Sequence, residues 1–104
     1  MPRLAFRMQL KPGFETEYRR RHDEIWTELV RLLHDKGISD YSIFLDEPSG
    51  ALFGVLTAAD TGKMDELPAH PVMKKWWAYM KDIMDANADD SPVSIPLTEV
   101  FHLD

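Results

Sequence analysis

An α+β fold in the order β-α-β-β-α-β is predicted by three observations. They are an alternating apolar strand at the N-terminus, a tight-turn hairpin mid-chain, and two stretches of helical periodicity between strands. Leu4, Phe6, Met8 and Leu10 alternate with Arg3, Ala5, Arg7 and Gln9, the period-2 pattern of a half-buried strand. Tyr41-Ser42-Ile43-Phe44-Leu45 and Leu52-Phe53-Gly54-Val55-Leu56-Thr57 flank Glu47-Pro48-Ser49-Gly50. The turn chemistry of that tetrapeptide joins the two runs as an antiparallel hairpin.

The helices follow from spacing and punctuation. Pro12-Gly13 ends the first strand, and Glu15 and Glu17 then suit the positive end of a helix from about Phe14 to about Asp35. Gly37 supplies its stop. A short helical stretch around Lys63 to Leu67 precedes Pro68. A longer helix begins near Pro71, where Val72, Met73, Trp76, Trp77, Met80, Ile83 and Met84 recur at helical spacing. Asp85 to Ser94 is polar and reads as a loop of about ten residues, a length that often carries function. Pro96 to Leu103 closes the chain as a strand, with Leu97, Phe101 and Leu103 on one face and Val100 on the other. This order is the ferredoxin-like arrangement, with helices on one face of an antiparallel sheet. The second face carries Arg3, Arg7, Ser42 and Asp46 but also Phe44, so a homodimer packed sheet on sheet is expected.

Composition narrows the function. A chain of 104 residues forms one domain, residues 1–104, and 44% hydrophobic with 29% charged residues marks it as globular. No apolar run approaches the roughly 18 residues of a membrane span, and the N-terminus has no signal-peptide core. The absence of cysteine excludes disulfides and thiolate chemistry and fits a reducing compartment. A formal charge of −6 argues against a general nucleic-acid binder. Arg19-Arg20-Arg21 is the local exception, expected to face solvent or an oligomer contact. His22, His34, His70 and His102 have no metal-binding spacing, so no metal is expected. The glycines are isolated, which excludes a phosphate loop, and no serine sits in a nucleophile elbow.

The most informative pair is Tyr18 and His22, four residues apart and therefore on one helical face. Measured from Phe14 at 100° per residue, Tyr18 falls at about 40° and His22 at about 80°, inside the apolar arc. An inward titratable ring either makes a structural hydrogen bond or does chemistry. Trp76 and Trp77 diverge by about 100° and cannot stack on each other, yet both fit one wide apolar face. They either fill the core or form a platform for a small ring. Tyr41 shares a strand face with Ile43 and Leu45. If that face is the covered one, Tyr18, His22, Tyr41, Trp76 and Trp77 meet in one apolar-walled pocket with a few neutral polar groups. Such a pocket suits a polyhydroxylated neutral ligand and offers no paired buried acids for glycoside hydrolysis.

The run from Tyr18 through Arg21, His22, Asp23, Glu24 and Ile25 to Trp26 resembles the L-rhamnose mutarotase family. So do Tyr41 to Asp46, Trp76-Trp77-Ala78-Tyr79-Met80, Asn87 to Val93, and Glu99-Val100-Phe101. The similarity is nearly end to end and thinnest from about Ala58 to Val72. It implies a small cytoplasmic isomerase with a dimeric α+β barrel fold. That enzyme interconverts the α and β anomers of L-rhamnose, without cofactor, and feeds rhamnose catabolism. It also implies that His22 is the acid/base and that Tyr18, Tyr41, Trp76 and Trp77 contact the sugar. Mutarotation needs a proton carrier active near neutral pH, and histidine is one without large tuning. One imidazole serves both oxygens only if it moves or works with water. His22 is accordingly expected to protonate the ring oxygen, with water or a tyrosine hydroxyl at the anomeric end. Two other readings stand beside this one: a cofactor-free monooxygenase of the same barrel class, and a non-catalytic sugar-binding domain.

Overall fold

A computed structural model describes residues 2–104. Strands β1 (Arg3–Gln9), β2 (Ile38–Asp46), β3 (Ala51–Ala58) and β4 (Ile95–Leu97) form one sheet in the order β2-β3-β1-β4. All neighbours run antiparallel. Helices α1 (Glu15–Asp23), α2 (Thr27–Asp35), α3 (Thr61–Met64) and α4 (Pro71–Met80) complete the chain, with a 3₁₀ turn at Leu67–Ala69. The expected ferredoxin-like βαββαβ order is therefore present.

Register makes the sheet two-faced. Leu4, Phe6 and Met8 pair with Leu56, Gly54 and Leu52, and Ile43 and Leu45 pair with the same Gly54 and Leu52. These residues share the covered face, because alternate strand positions point the same way. Against them pack Leu29 and Leu32 of α2, Met73, Trp76 and Met80 of α4, and Ile83 and Met84 beyond it. Leu10, Leu29, Leu52 and Ile83 are fully buried, each worth about 1.5–3 kcal/mol of transfer free energy.

The hairpin and Gly37 are as expected. Gly50 sits at φ +75° with its N–H on the Asp46 carbonyl, and Gly37 at φ +81° donates to His34 after α2. Both middle strands run longer than their apolar patterns suggested.

Four expectations need correction. The single helix from Phe14 to Asp35 is two helices. Trp26 is extended (φ −64°, ψ 133°), and Ile25 N–H bonds back to the His22 carbonyl three residues away. No proline or glycine marks this break. Trp26 instead turns out of the helix to pack on Trp76 and Tyr79, at ring-centroid distances of 5.1 and 5.7 Å. The short helix begins earlier, at Thr61, because the Asp60 side chain accepts from the N–H groups of Gly62 and Lys63. Helix α4 stops at Met80. Ile83 and Met84 stay in the core, where Met84 bridges to Leu10. The closing strand is Ile95–Leu97, paired with Ala5 to Arg7 at the edge of the sheet. Residues 98–104 have no regular structure, and Val100, Phe101 and Leu103 are exposed. The second sheet face presents Phe44, with 62% of its surface exposed, on the β2 edge, and Ile95 and Leu97 on the opposite β4 edge.

Candidate functional site

The space between sheet and helices opens as a cavity of about 930 Å³, within the usual size of a small-molecule site. Tyr18, His22, Tyr41, Trp76 and Trp77 all line it. Two helices and one strand bring these five residues together, although they come from three separate stretches of sequence.

The α1 wall depends on the four-residue spacing. The Tyr18 and His22 rings lie 4.4 Å apart between centroids, inclined at 31°. His22 Nδ1 is 3.1 Å from the Tyr18 carbonyl oxygen. A carbonyl only accepts, so Nδ1 carries a proton and Nε2 is the nitrogen with a free lone pair in the neutral ring. Burial pushes the His22 pKa below its usual 6.5, opposed in part by the Tyr18 carbonyl and by the charge of Asp23. The ring therefore rests neutral near pH 7. Burial holds the Tyr18 phenol well above its ordinary range, with the neighbouring Tyr41 adding to the effect.

The strand wall carries an irregularity. Between Ser39 and Ser42 the pairing with β3 shifts, and Asp40 adopts φ +49°. Past that bulge, Tyr41 keeps the cavity-facing side that it shares with Ile43 and Leu45. Tyr41 leaves 38% of its surface open, but it opens into the concave cavity, and burial of its phenol pushes the pKa up to about 12. Its ring meets Phe6 edge-on at 6.1 Å.

Phe6 lies flat on Gly54. A Cβ built at Gly54 would stand 2.5 to 3.0 Å from three atoms of the Phe6 ring, so only glycine permits this floor. Gly54→Ala is expected to force the ring toward Tyr41, raising KM several-fold and destabilising the fold by about 1–3 kcal/mol. Steady-state kinetics and a thermal melt measure the two effects; an unchanged KM would show that the floor does not shape the site.

The α4 wall shows the expected divergence of adjacent indoles. Trp76 is 6% exposed, whereas Trp77 is half-buried. Trp76 meets His22 edge-on at 5.4 Å and 87°. Behind it stand two aromatics that do not line the cavity: Trp26, and Tyr79 at 5.7 Å. Sequence reasoning did not assign these two to the site. Trp26 lies inside the same run as Tyr18 and His22, four positions past His22, and that proximity was the available signal.

The carboxylates on the cavity lining, Glu15, Asp23, Asp40 and Asp65, are all exposed, so no buried acid pair is present. Among the described residues no group of three His, Asp or Glu side chains is placed to hold a metal. Among the described residues no helix is long and apolar enough to cross a membrane. Ser91, Pro92 and Ser94 of the long loop reach the cavity edge. That loop is closed by Asn87 N–H on the Ser91 carbonyl and by a bridge between Ala86 and Pro92.

The model of the family described as "L-rhamnose mutarotase" matches residues 3–103, the stretch from Ala58 to Val72 included. The chain belongs to the L-rhamnose mutarotase family. A curated L-rhamnose mutarotase of Brucella anthropi is 65% identical over 101 residues, covering 97% of this chain and 95% of the relative. That of Sinorhizobium fredii is 61% identical, covering 99% of each. Among solved structures, an L-rhamnose mutarotase from Formosa agariphila superposes with a TM-score of 0.94 at 46% identity, covering all of both chains. An antibiotic biosynthesis monooxygenase shares the fold alone, with a TM-score of 0.63 at 14% identity over 96% of this chain and 99% of that one. Family membership makes this chain an isomerase that exchanges the α and β anomers of L-rhamnose. The expected activity is therefore met, and the monooxygenase reading is left with the fold only.

Proposed function

We propose that mutarotation runs through His22 Nε2, in a site where Tyr18, Tyr41, Trp76 and Trp77 hold the sugar. The observation that carries this reading is the Nδ1–Tyr18 carbonyl bond, which leaves Nε2 as the free nitrogen of a ring that lines the cavity. A neutral ring cannot begin as a donor from Nε2. It takes the proton of the anomeric hydroxyl while the bond between C1 and the ring oxygen breaks. It then returns that proton to the ring oxygen, giving the open aldehyde. Rotation about C1–C2 turns the other carbonyl face to the ring oxygen, and the same steps in reverse close the second anomer. No proton is gained or lost over the cycle. The ring oxygen is still protonated by His22, as the sequence led us to expect. Two things differ. The proton comes from the substrate, because burial disfavours a resting imidazolium. His22 itself, in place of water or a tyrosine hydroxyl, serves the anomeric oxygen, the imidazole shifting between the two oxygens within the cycle. The two phenols stay protonated throughout the neutral range and serve as hydrogen-bond donors to the oxygen that develops charge. The indoles supply apolar faces for the sugar ring. No cofactor enters the cycle.

The pH dependence follows with a definite sign. The active form is neutral His22, and its pKa is lowered, so activity is full above pH 6.5 and falls as pH drops through a value below it. Catalysed exchange measured by saturation-difference NMR on equilibrated L-rhamnose, with the uncatalysed rate subtracted, is expected to show that acidic limb. A rate that rises on acidification would assign the resting imidazolium as donor. Binding with no acceleration at any pH would leave a sugar-binding domain instead.

The resemblance also carries a cytoplasmic role in rhamnose catabolism, and we adopt it with the activity. A homodimer packed sheet on sheet would cover Phe44, Ile95 and Leu97, and light scattering at micromolar concentration tests it.

A further inference from the structure

We propose that Arg21 is a positioning residue: it locks α1 to the end of α4 and so fixes His22 against Trp76. The proposal rests on the reading of His22 as proton carrier. Within Arg19-Arg20-Arg21, expected to face solvent, Arg19 and Arg20 are exposed but Arg21 is only 8% exposed. Its guanidinium makes four N–H···O bonds. Nε donates to Glu17 Oε2 at 2.7 Å, and Nη1 donates to the Tyr79 carbonyl at 2.7 Å and to Asp82 Oδ1 at 2.9 Å. Nη2 donates to Asp82 Oδ2 at 3.2 Å. The same group lies 4.6 Å from the centre of the Tyr79 ring.

Each contact has a positional consequence. Glu17 lies one turn before Arg21 on α1, so its carboxylate fixes the fork relative to its own helix. The Tyr79 carbonyl is in the last turn of α4, where no intrahelical partner remains for it. Asp82 takes the fork two-pronged from the turn just beyond α4, which sets orientation as well as distance. Tyr79 in turn packs on Trp76 and Trp26. The backbones of α1 and α4 barely approach one another, so this fork and the His22–Trp76 edge contact set the register between the two walls.

Stability alone is a poor reason for such an arginine. Burying a guanidinium carries a desolvation penalty that its ion pairs often only match, and an apolar side chain of similar volume is frequently as good. What an apolar replacement cannot do is hold three acceptors from two helices and a turn in one plane. A proton carrier that must reach two oxygens of one sugar needs that geometry, since a misplacement of about 1 Å can cost about 10²-fold in rate.

Arg21→Met and Arg21→Lys test this, with Arg20→Lys as the exposed control. Per folded molecule, counted by denaturant titration, kcat should fall about 100-fold in Arg21→Met and about 10-fold in Arg21→Lys, with KM within about twofold of wild type. Arg20→Lys should leave both constants unchanged. The His22 ring-proton resonances, which feel the neighbouring Tyr18 and Trp76 rings, should move in Arg21→Lys and stay in place in Arg20→Lys. Should Arg21→Met fail to fold, Asp82→Asn replaces it, with a smaller fall in kcat and the same resonance shift. A wild-type kcat per folded Arg21→Lys molecule, or unmoved His22 resonances, overturns the proposal and leaves Arg21 a structural ion pair. Full activity in a His22→Ala enzyme would instead sink the proton-carrier reading itself, so the two failures are told apart.

Discussion

His22→Ala is expected to lose catalysed anomer exchange by about 10²–10⁴-fold, the range that one positioned acid–base group supplies. The fold should survive. The imidazole's hydrogen bond reaches only to the carbonyl of Tyr18 on its own helix, so its removal strands no donor on a neighbouring element. Alanine is also the best helix former, which offsets part of the lost ring packing against Tyr18 and Trp76. Sugar binding should persist, because Tyr18, Tyr41, Trp76 and Trp77 remain. The measurement is exchange NMR on α and β L-rhamnose beside a binding titration followed by tryptophan fluorescence. Retained binding with exchange at the buffer rate is the expected pair of results. An undiminished catalysed rate would move the chemistry to a phenol.

The site was legible wherever a local rule decided the outcome. Alternation in β1 fixed the covered face, and the same rule applied to Tyr41, Ile43 and Leu45 turned Tyr41 inward. Four-residue spacing paired Tyr18 with His22, and that pairing survived the break in the helix because both residues lie before it. The break itself was hidden. Residues 24–26 contain neither proline nor glycine, and Trp26 leaves the helix for aromatic partners about 50 residues away in α4, a tertiary gain no local propensity reports. Arg21 was hidden for the same reason. Its run of arginines reads as a solvated face, while the Asp82 that draws it inward lies 61 residues further on. The closing strand shows the opposite error. Its apolar pattern extends to Leu103, but only Ile95 to Leu97 pair, with Ala5 to Arg7. This register sets Glu99 opposite Arg3, where β1 begins, so residues 100–103 have no strand to pair with. Geometry thus located an apolar-walled pocket with a few neutral polar groups, and only the family resemblance could name a sugar for it.

Trp76→Ala should be the most damaging single change, because one indole fills the core and lines the proposed site. Trp76 is buried against Trp26, Tyr79 and His22, two of them in edge-to-face contact at 87°. Truncating a buried tryptophan costs about 3–5 kcal/mol, a large share of the 5–15 kcal/mol that holds a typical domain together. At about 4–8 °C per kcal/mol for a chain near this size, the melting temperature should fall by at least about 12 °C. Stability loss alone would not reveal the second role, so Trp77→Ala is the companion measurement. Trp77 is half-buried and lines the same cavity, so its truncation should weaken L-rhamnose binding while moving the melt much less. Trp76→Phe restores most of the buried ring and should recover most of the stability. It removes part of the indole that packs at right angles to His22, so kcat should remain depressed although the protein is folded. If Trp76→Phe were wild type in kcat, the indole would be core filling only, and the wall facing His22 would belong to Trp77.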